Sequence, residues 1–197
     1  MYLLIPAAGM GKRMGSERNK LLLNLLGKPL LSWTLLAAET AQKIEWIGII
    51  GQPYDFPEFK NILDNISLNK PVELISGGET RQQSVYNGLQ ALPKEAENVL
   101  IHDGARCLVT PNLFDRCAEE LLNCQGLIAA IPVKDTIKIV DSKQFIKDTP
   151  KRSNLWTAQT PQGFDVNLLK ESHEKGYQMG WQAVSYTHLR AHETNSH

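Results

Sequence analysis

A chain of 197 residues, 42% of them apolar, is long enough to bury a sizeable core and matches one domain, or one domain with a small appendage. Its 21 Lys and Arg balance 21 Asp and Glu, so no general positive field exists to hold DNA or RNA, and any anion binding must be local. Neither a basic leader nor a run of about 18 apolar residues occurs, so no signal peptide or membrane span is expected and the cytoplasm is the expected location.

Strand-sized apolar runs appear at Tyr2 to Pro6, Trp46 to Ile50, Val72 to Ile75, Asn98 to Ile101 and Leu127 to Ile131, with longer helical patterns between them. That alternation predicts βαβ units, hence an α/β fold with a mainly parallel, twisted sheet flanked by helices. Asp55-Phe56-Pro57 opens a helical segment with Phe59, Ile62, Leu63 and Ile66 on one face. Thr110-Pro111 supplies a cap and a first-turn proline before Leu113, Phe114, Cys117 and Leu121. From Asp135 to Trp156 the chain turns polar, β-branched and basic, with alternation over Thr136 to Val140 and turn chemistry at Asp141-Ser142, which predicts a projecting β-arm spanning about 133–156. Residues 1–184 read as the domain. The segment 185–197, with three of the five histidines and no helix or strand period, reads as a non-native or disordered tail.

The strand Leu3 to Pro6 runs directly into Ala7-Ala8-Gly9-Met10-Gly11, small residues that let backbone N–H groups approach a ligand closely. Lys12, Arg13 and Lys20 follow, cations able to neutralise a triphosphate and the charge developing at an attacked phosphorus. A P-loop requires Ser or Thr where Arg13 stands, and a dinucleotide fingerprint requires glycine where Met14 stands, so neither pattern applies. Further along, Ser76-Gly77-Gly78-Glu79-Thr80-Arg81-Gln82-Gln83-Ser84-Val85 is a Gly-Gly turn entering a helix whose face carries Val85, Leu89 and Leu92. Ile101-His102-Asp103-Gly104-Ala105-Arg106 ends an apolar strand, which places a carboxylate and a guanidinium where open α/β sheets bind ligands. His102 is expected to pack beside its strand, and His173 to lie on a polar helix; neither has a catalytic partner in sequence. Cys107, Cys117 and Cys124 are odd in number and lack CxxC spacing, so reduced thiols are expected rather than disulfides or a zinc site.

Taken in order, five motifs resemble a known family. PAAGMGKRMGSERNK is similar to the PAAGxGxRM…PK signature of sugar- and polyol-phosphate nucleotidyltransferases, with Asn19 in the place of the usual proline. SGGETRQQSV resembles GGxxRxxSV, although Glu79 stands where aspartate is frequent, and HDGARC resembles HDAAR(P), with Gly104 for alanine and Cys107 for proline. PVKDTIK resembles PVxDTxK, and KRSNLWTAQTPQ resembles RxxLWxxQTPQ. Together they resemble the cytidylyltransferases acting on 2-C-methyl-D-erythritol 4-phosphate, over about residues 2–184.

The resemblance implies a Rossmann-like fold and transfer of CMP from CTP to the polyol phosphate by direct in-line displacement, with Mg²⁺ held mainly through the CTP phosphates and no metal site made by the protein alone. It implies that Arg13 and Lys20 stabilise the transition state, and that Ala7, Ala8, Gly9, Gly11, Lys12, Gly78, Glu79, Ser84 and Asp103 hold the nucleotide. Arg106, Thr136, Arg152 and Thr160 would meet the substrate, Arg152 by crossing to a second subunit on the 133–156 arm of a homodimer. Two alternatives stay open. One is a ribitol-5-phosphate or other sugar- or polyol-phosphate nucleotidyltransferase. The other is an inactive nucleotide-binding fragment, because the family's TDD/TDE-like segment and its later NIK-like strand do not appear after Val184; reduced turnover is the corresponding expectation.

Overall fold

The computed structural model describes residues 1–9 and 19–179, so Gly11, Lys12 and Arg13 and the 185–197 tail lie outside the described residues. The chain runs through β1 (Tyr2–Pro6), the short strands β2 (Asn24–Leu25) and β3 (Lys28–Pro29), α1 (Leu30–Thr40), β4 (Trp46–Gly51), α2 (Phe56–Asp64) and β5 (Val72–Ser76). It continues with α3 (Arg81–Ala91), β6 (Asn98–Ile101), α4 (Pro111–Leu121), β7 (Gly126–Pro132), β8 (Ile139–Val140), β9 (Ile146–Asp148), β10 (Trp156–Asp165) and α5 (Val166–Gln178). Six strands form the main sheet in the order β5-β4-β1-β6-β10-β7. β5, β4, β1 and β6 run parallel, and β10 is antiparallel to both of its neighbours. None of the described helices is long and apolar enough to cross a membrane.

The continuous apolar runs have a simple cause, since helices cover both faces of the sheet. Leu3, Ile5, Ile47, Ile49 and Leu100 point to a core shared with Leu31 and Leu35 of α1, Phe59 of α2 and Phe114 of α4. Leu4, Ile50, Ile75, Val99 and Ile101 point to the opposite core, with Val85 and Leu89 of α3 and Leu169 of α5. Close approach of α3 to the sheet requires Gly88, where an added Cβ would lie 2.5 Å from Ile50 Cδ1. The predicted cap is present, with the Thr110 hydroxyl accepting from the Leu113 N–H at 3.3 Å.

Several expectations are corrected. The projecting arm is present, closed at its base by the Val133 N–H donating to the Leu155 carbonyl at 3.0 Å and further out by β8 pairing with β9; alternation over Thr136 to Val140 yields strand at Ile139–Val140 alone, although Asp141 does make the turn by accepting from the Lys143 and Phe145 N–H groups. Strand β10 has no signal in sequence because it contains Pro161 and Gly163; its register with β7 breaks between Ala158 and Gln162, where an irregularity accommodates the proline. His173 lies on α5 but is 2% exposed, because Val166, Leu169, His173 and Gly176 share the helix face turned inward.

Both buried histidines pack on aromatic rings: His102 stands edge-on to Phe114 with centroids 5.1 Å apart, and His173 lies 5.8 Å from the ring of Tyr86. Burial pushes each imidazole down to about 4. The unfolded chain binds these protons near pH 6.5 and the native protein does not, so stability is fully present above pH 6.5 and falls as pH drops towards 4. We expect a loss of up to about 3 kcal/mol per histidine across that window. Urea midpoints measured from pH 7.5 to 4.5 check this, and a flat profile would contradict it. Phe114→Ala, which empties a fully buried site, is expected to lower unfolding free energy by about 3–5 kcal/mol in the same assay.

Candidate active site

Four parallel strands end on one edge of the sheet, and their exits surround a cleft of about 600 Å³. β1 delivers Ala7, Ala8 and Gly9, β4 delivers Gln52, β5 delivers the turn through Gly78 to Arg81, and β6 delivers Asp103 and Gly104. Lys20 enters from a short 3-10 turn, Lys20–Leu22. The cleft straddles β1, where the strand order changes direction, which is where open α/β sheets bind ligands.

The Gly-Gly turn is held from both sides. The Gly77 N–H donates to the Gly51 carbonyl at 2.8 Å, and a Cβ on Gly77 would lie 2.7 Å from the Ala8 methyl, so only glycine lets this turn pass the β1 exit. Ser84 Oγ accepts from the Gly78 N–H at 3.0 Å and donates to the Thr80 carbonyl at 2.8 Å, fixing Gly78 at the mouth of α3. Gln52 Nε2 donates to the Gly78 carbonyl at 3.2 Å. The Thr80 hydroxyl caps the helix by accepting from Gln83 N–H.

Asp103 sits between two arginines. Arg81 Nη2 lies 2.7 Å from its Oδ1, and Arg106 Nε lies 3.4 Å from its Oδ2. Burial alone would raise the Asp103 carboxyl, but the Arg81 guanidinium, with Arg106 behind it, outweighs burial and holds it below the ordinary carboxylate value. Thr160 links this group to the core: its hydroxyl accepts from the Asp103 N–H at 3.2 Å and faces His102 Nδ1 at 3.0 Å. The Arg106 carbonyl at 3.3 Å can only accept, so Nε2 carries the ring proton, and in the neutral imidazole that burial favours Nδ1 accepts from the Thr160 hydroxyl. Arg106 also hydrogen-bonds Gln159 through Nη1.

The cleft thus gathers Ala7, Ala8, Gly9, Lys20, Gly78, Glu79, Ser84 and Asp103. Arg106 and Thr160 line an adjacent, more open groove of about 860 Å³ against α4 and β7. Thr136 and Arg152 line neither; both are exposed, and Arg152 Nη1 donates to the Lys134 carbonyl at 2.8 Å. Sequence reasoning missed Arg81, Gln52 and Asn19 as parts of the site. Arg81 carried a signal, because a cation in the first turn of a helix opposes the helix dipole and calls for a nearby anion, here Asp103. Among the described residues, no group of three or more His, Cys, Asp or Glu is placed to hold a metal, and Asp103 and Glu79 are the carboxylates lining the cleft. Both Asp103 oxygens already face guanidinium groups, so a divalent cation here would have to be held mainly by the phosphates that carry it.

The family profile described as "IspD: 2-C-methyl-D-erythritol 4-phosphate cytidylyltransferase" matches residues 1–192. A 2-C-methyl-D-erythritol 4-phosphate cytidylyltransferase from Crocosphaera subtropica is 86% identical over 184 residues, covering 93% of this chain and 81% of the relative. One from Microcystis aeruginosa is 71% identical over the same length, with 93% and 81% covered. In structure, the chain is similar to 4-diphosphocytidyl-2C-methyl-D-erythritol synthase from Anaerococcus prevotii, with TM-score 0.88, 28% identity, and 99% of this chain and 84% of that one covered. A 2-C-methyl-D-erythritol 4-phosphate cytidylyltransferase from Thermus thermophilus aligns with TM-score 0.72, 29% identity, and 95% and 81% covered. On the order of its motifs, the topology of its sheet and these likenesses, the chain belongs to the 2-C-methyl-D-erythritol 4-phosphate cytidylyltransferase family.

Proposed function

We propose that this protein transfers CMP from CTP to 2-C-methyl-D-erythritol 4-phosphate, giving 4-diphosphocytidyl-2-C-methyl-D-erythritol and pyrophosphate in non-mevalonate isoprenoid precursor synthesis. The observation that carries this reading is the cleft, in which small-residue turns from β1 and β5 meet Lys20 and the Arg81–Asp103–Arg106 chain of charges. Small residues let backbone N–H groups reach phosphate oxygens, and the turn of Gly78, Glu79 and Ser84, which lines the same cleft, takes the cytosine base in this reading. The attacking group is an oxygen of the substrate phosphate. It forms a bond to the α-phosphorus of CTP as the bond to the bridging oxygen breaks, and that oxygen leaves on pyrophosphate.

Lys20 and Arg13 stabilise the charge that develops at the α-phosphorus, and Lys12 and Gly11 complete the triphosphate grip. Mg²⁺ carried on the CTP phosphates would neutralise further charge on the triphosphate. Asp103, kept ionised by Arg81, also orients Arg106 towards the groove that takes the polyol phosphate, with Thr160 at its edge. Thr136 and Arg152 act in the neighbouring subunit of a homodimer. Their place on an exposed arm that also displays Ile139, Phe145, Ile146 and Trp156 supports this arrangement, because such an apolar surface suits burial against a second copy.

Pyrophosphate release with CTP held constant and a panel of polyol phosphates tests the reading; activity restricted to ribitol 5-phosphate would overturn it. Lys20→Ala is expected to lower kcat by about 10²- to 10³-fold, as loss of a transition-state donor does. Arg152→Ala is expected to raise KM for the polyol phosphate with little change in CTP affinity, which steady-state kinetics with each substrate varied in turn would separate.

A further inference from the structure

Lys20 gains its place from the residue before it. Asn19 is 6% exposed and uses its side chain in three directions: Nδ2 donates to the Ala7 carbonyl at 2.7 Å and to Asp55 Oδ2 at 2.9 Å, while Oδ1 accepts from the Leu21 N–H at 3.1 Å. These bonds tie together the exit of β1, the turn after β4 and the first residues of the Lys20–Leu22 turn. Asp55 is itself 7% exposed, and although it stands before α2 its side chain makes no cap bond to that helix. On the other side of Lys20, Leu21 is 2% exposed and packs beside Ile5 and the Gly104 backbone. Both neighbours of Lys20 are therefore fixed, and Lys20 itself lines the cleft.

We propose that Asn19, anchored by Asp55, is a positioning residue that sets where Lys20 meets the nucleotide phosphates; this rests on the reading of Lys20 given above. The backbone agrees with such a role. Asn19 adopts φ −59°, the value to which a proline ring locks a chain, so three hydrogen bonds hold a conformation that a ring could hold covalently. Fixing the backbone on both sides of a long cation removes conformations that Lys20 would otherwise lose on binding, which is how preorganisation raises affinity.

Isothermal titration of CTP with Mg²⁺ into the full 197-residue chain tests the inference as a double-mutant cycle. Asn19→Ala is expected to weaken CTP binding about five- to tenfold, and Asp55→Ala somewhat less, while Asn19→Pro, which keeps the φ angle, stays closer to wild type. In a Lys20→Ala background, Asn19→Ala should add less than about twofold, because its effect passes through the missing ammonium. If Asn19→Ala weakens binding equally with and without Lys20, its role is structural and the inference fails. Should Asn19→Ala not fold, Asp55→Ala completes the same cycle, since it leaves the bonds to Ala7 and Leu21 in place. A wild-type chain that does not bind CTP overturns the functional reading and this inference together; a Lys20→Ala variant that binds CTP as well as wild type, or an additive cycle, overturns the inference alone.

Discussion

Strand β1 is buried on both faces and paired on both edges, and the rest of the site depends on that constraint. Leu3 and Ile5 enter one core while Leu4 enters the other, and β4 and β6 hydrogen-bond to either side. Such a strand cannot shift by one residue without sending every side chain to the wrong core. Because β4, β5 and β6 run parallel to it, four chain exits lie on one edge in a fixed register. Ala7, Gln52, Gly78 and Asp103 are neighbours for that reason, although they are far apart in sequence.

The second constraint is electrostatic. A protein of balanced charge holds no polyanion by its general field, so the cleft must concentrate cations locally. Arginines placed close together would repel, and Asp103 between Arg81 and Arg106 relieves this repulsion while staying ionised through their influence. The neutral His102 beneath, joined to Asp103 through Thr160, ties the charged surface to the packed core without burying a charge. Thr160 therefore sets the position of the Asp103 backbone, a structural duty alongside any contact with substrate.

Much of this was legible in the sequence wherever burial wrote a regular pattern. Runs such as Trp46 to Ile50 are apolar because both faces of a parallel sheet are covered, and Thr110-Pro111 marks a helix start because its chemistry is local. Strand β10 was not legible: its partners β6 and β7 come from distant segments, and Pro161 and Gly163 erase the usual strand composition. Asp55 looked like the opening of a helix, yet its carboxylate serves Asn19, 36 positions away. No periodicity could report that pairing, since it depends on β1 and β4 lying side by side.

By itself the sequence determined the α/β alternation, the glycine-bearing turns that follow the strands and the order of motifs that define the family, because each of these rests on residues close together in the chain. Only the tertiary structure decided that Arg81 faces Asp103, that Thr160 supports the loop carrying Asp103, and that Asn19 clasps Ala7 and Asp55 beside Lys20. Those contacts join segments brought together by the register of a parallel sheet, and hydrogen-bond distances of about 3 Å are set by packing that no local pattern encodes.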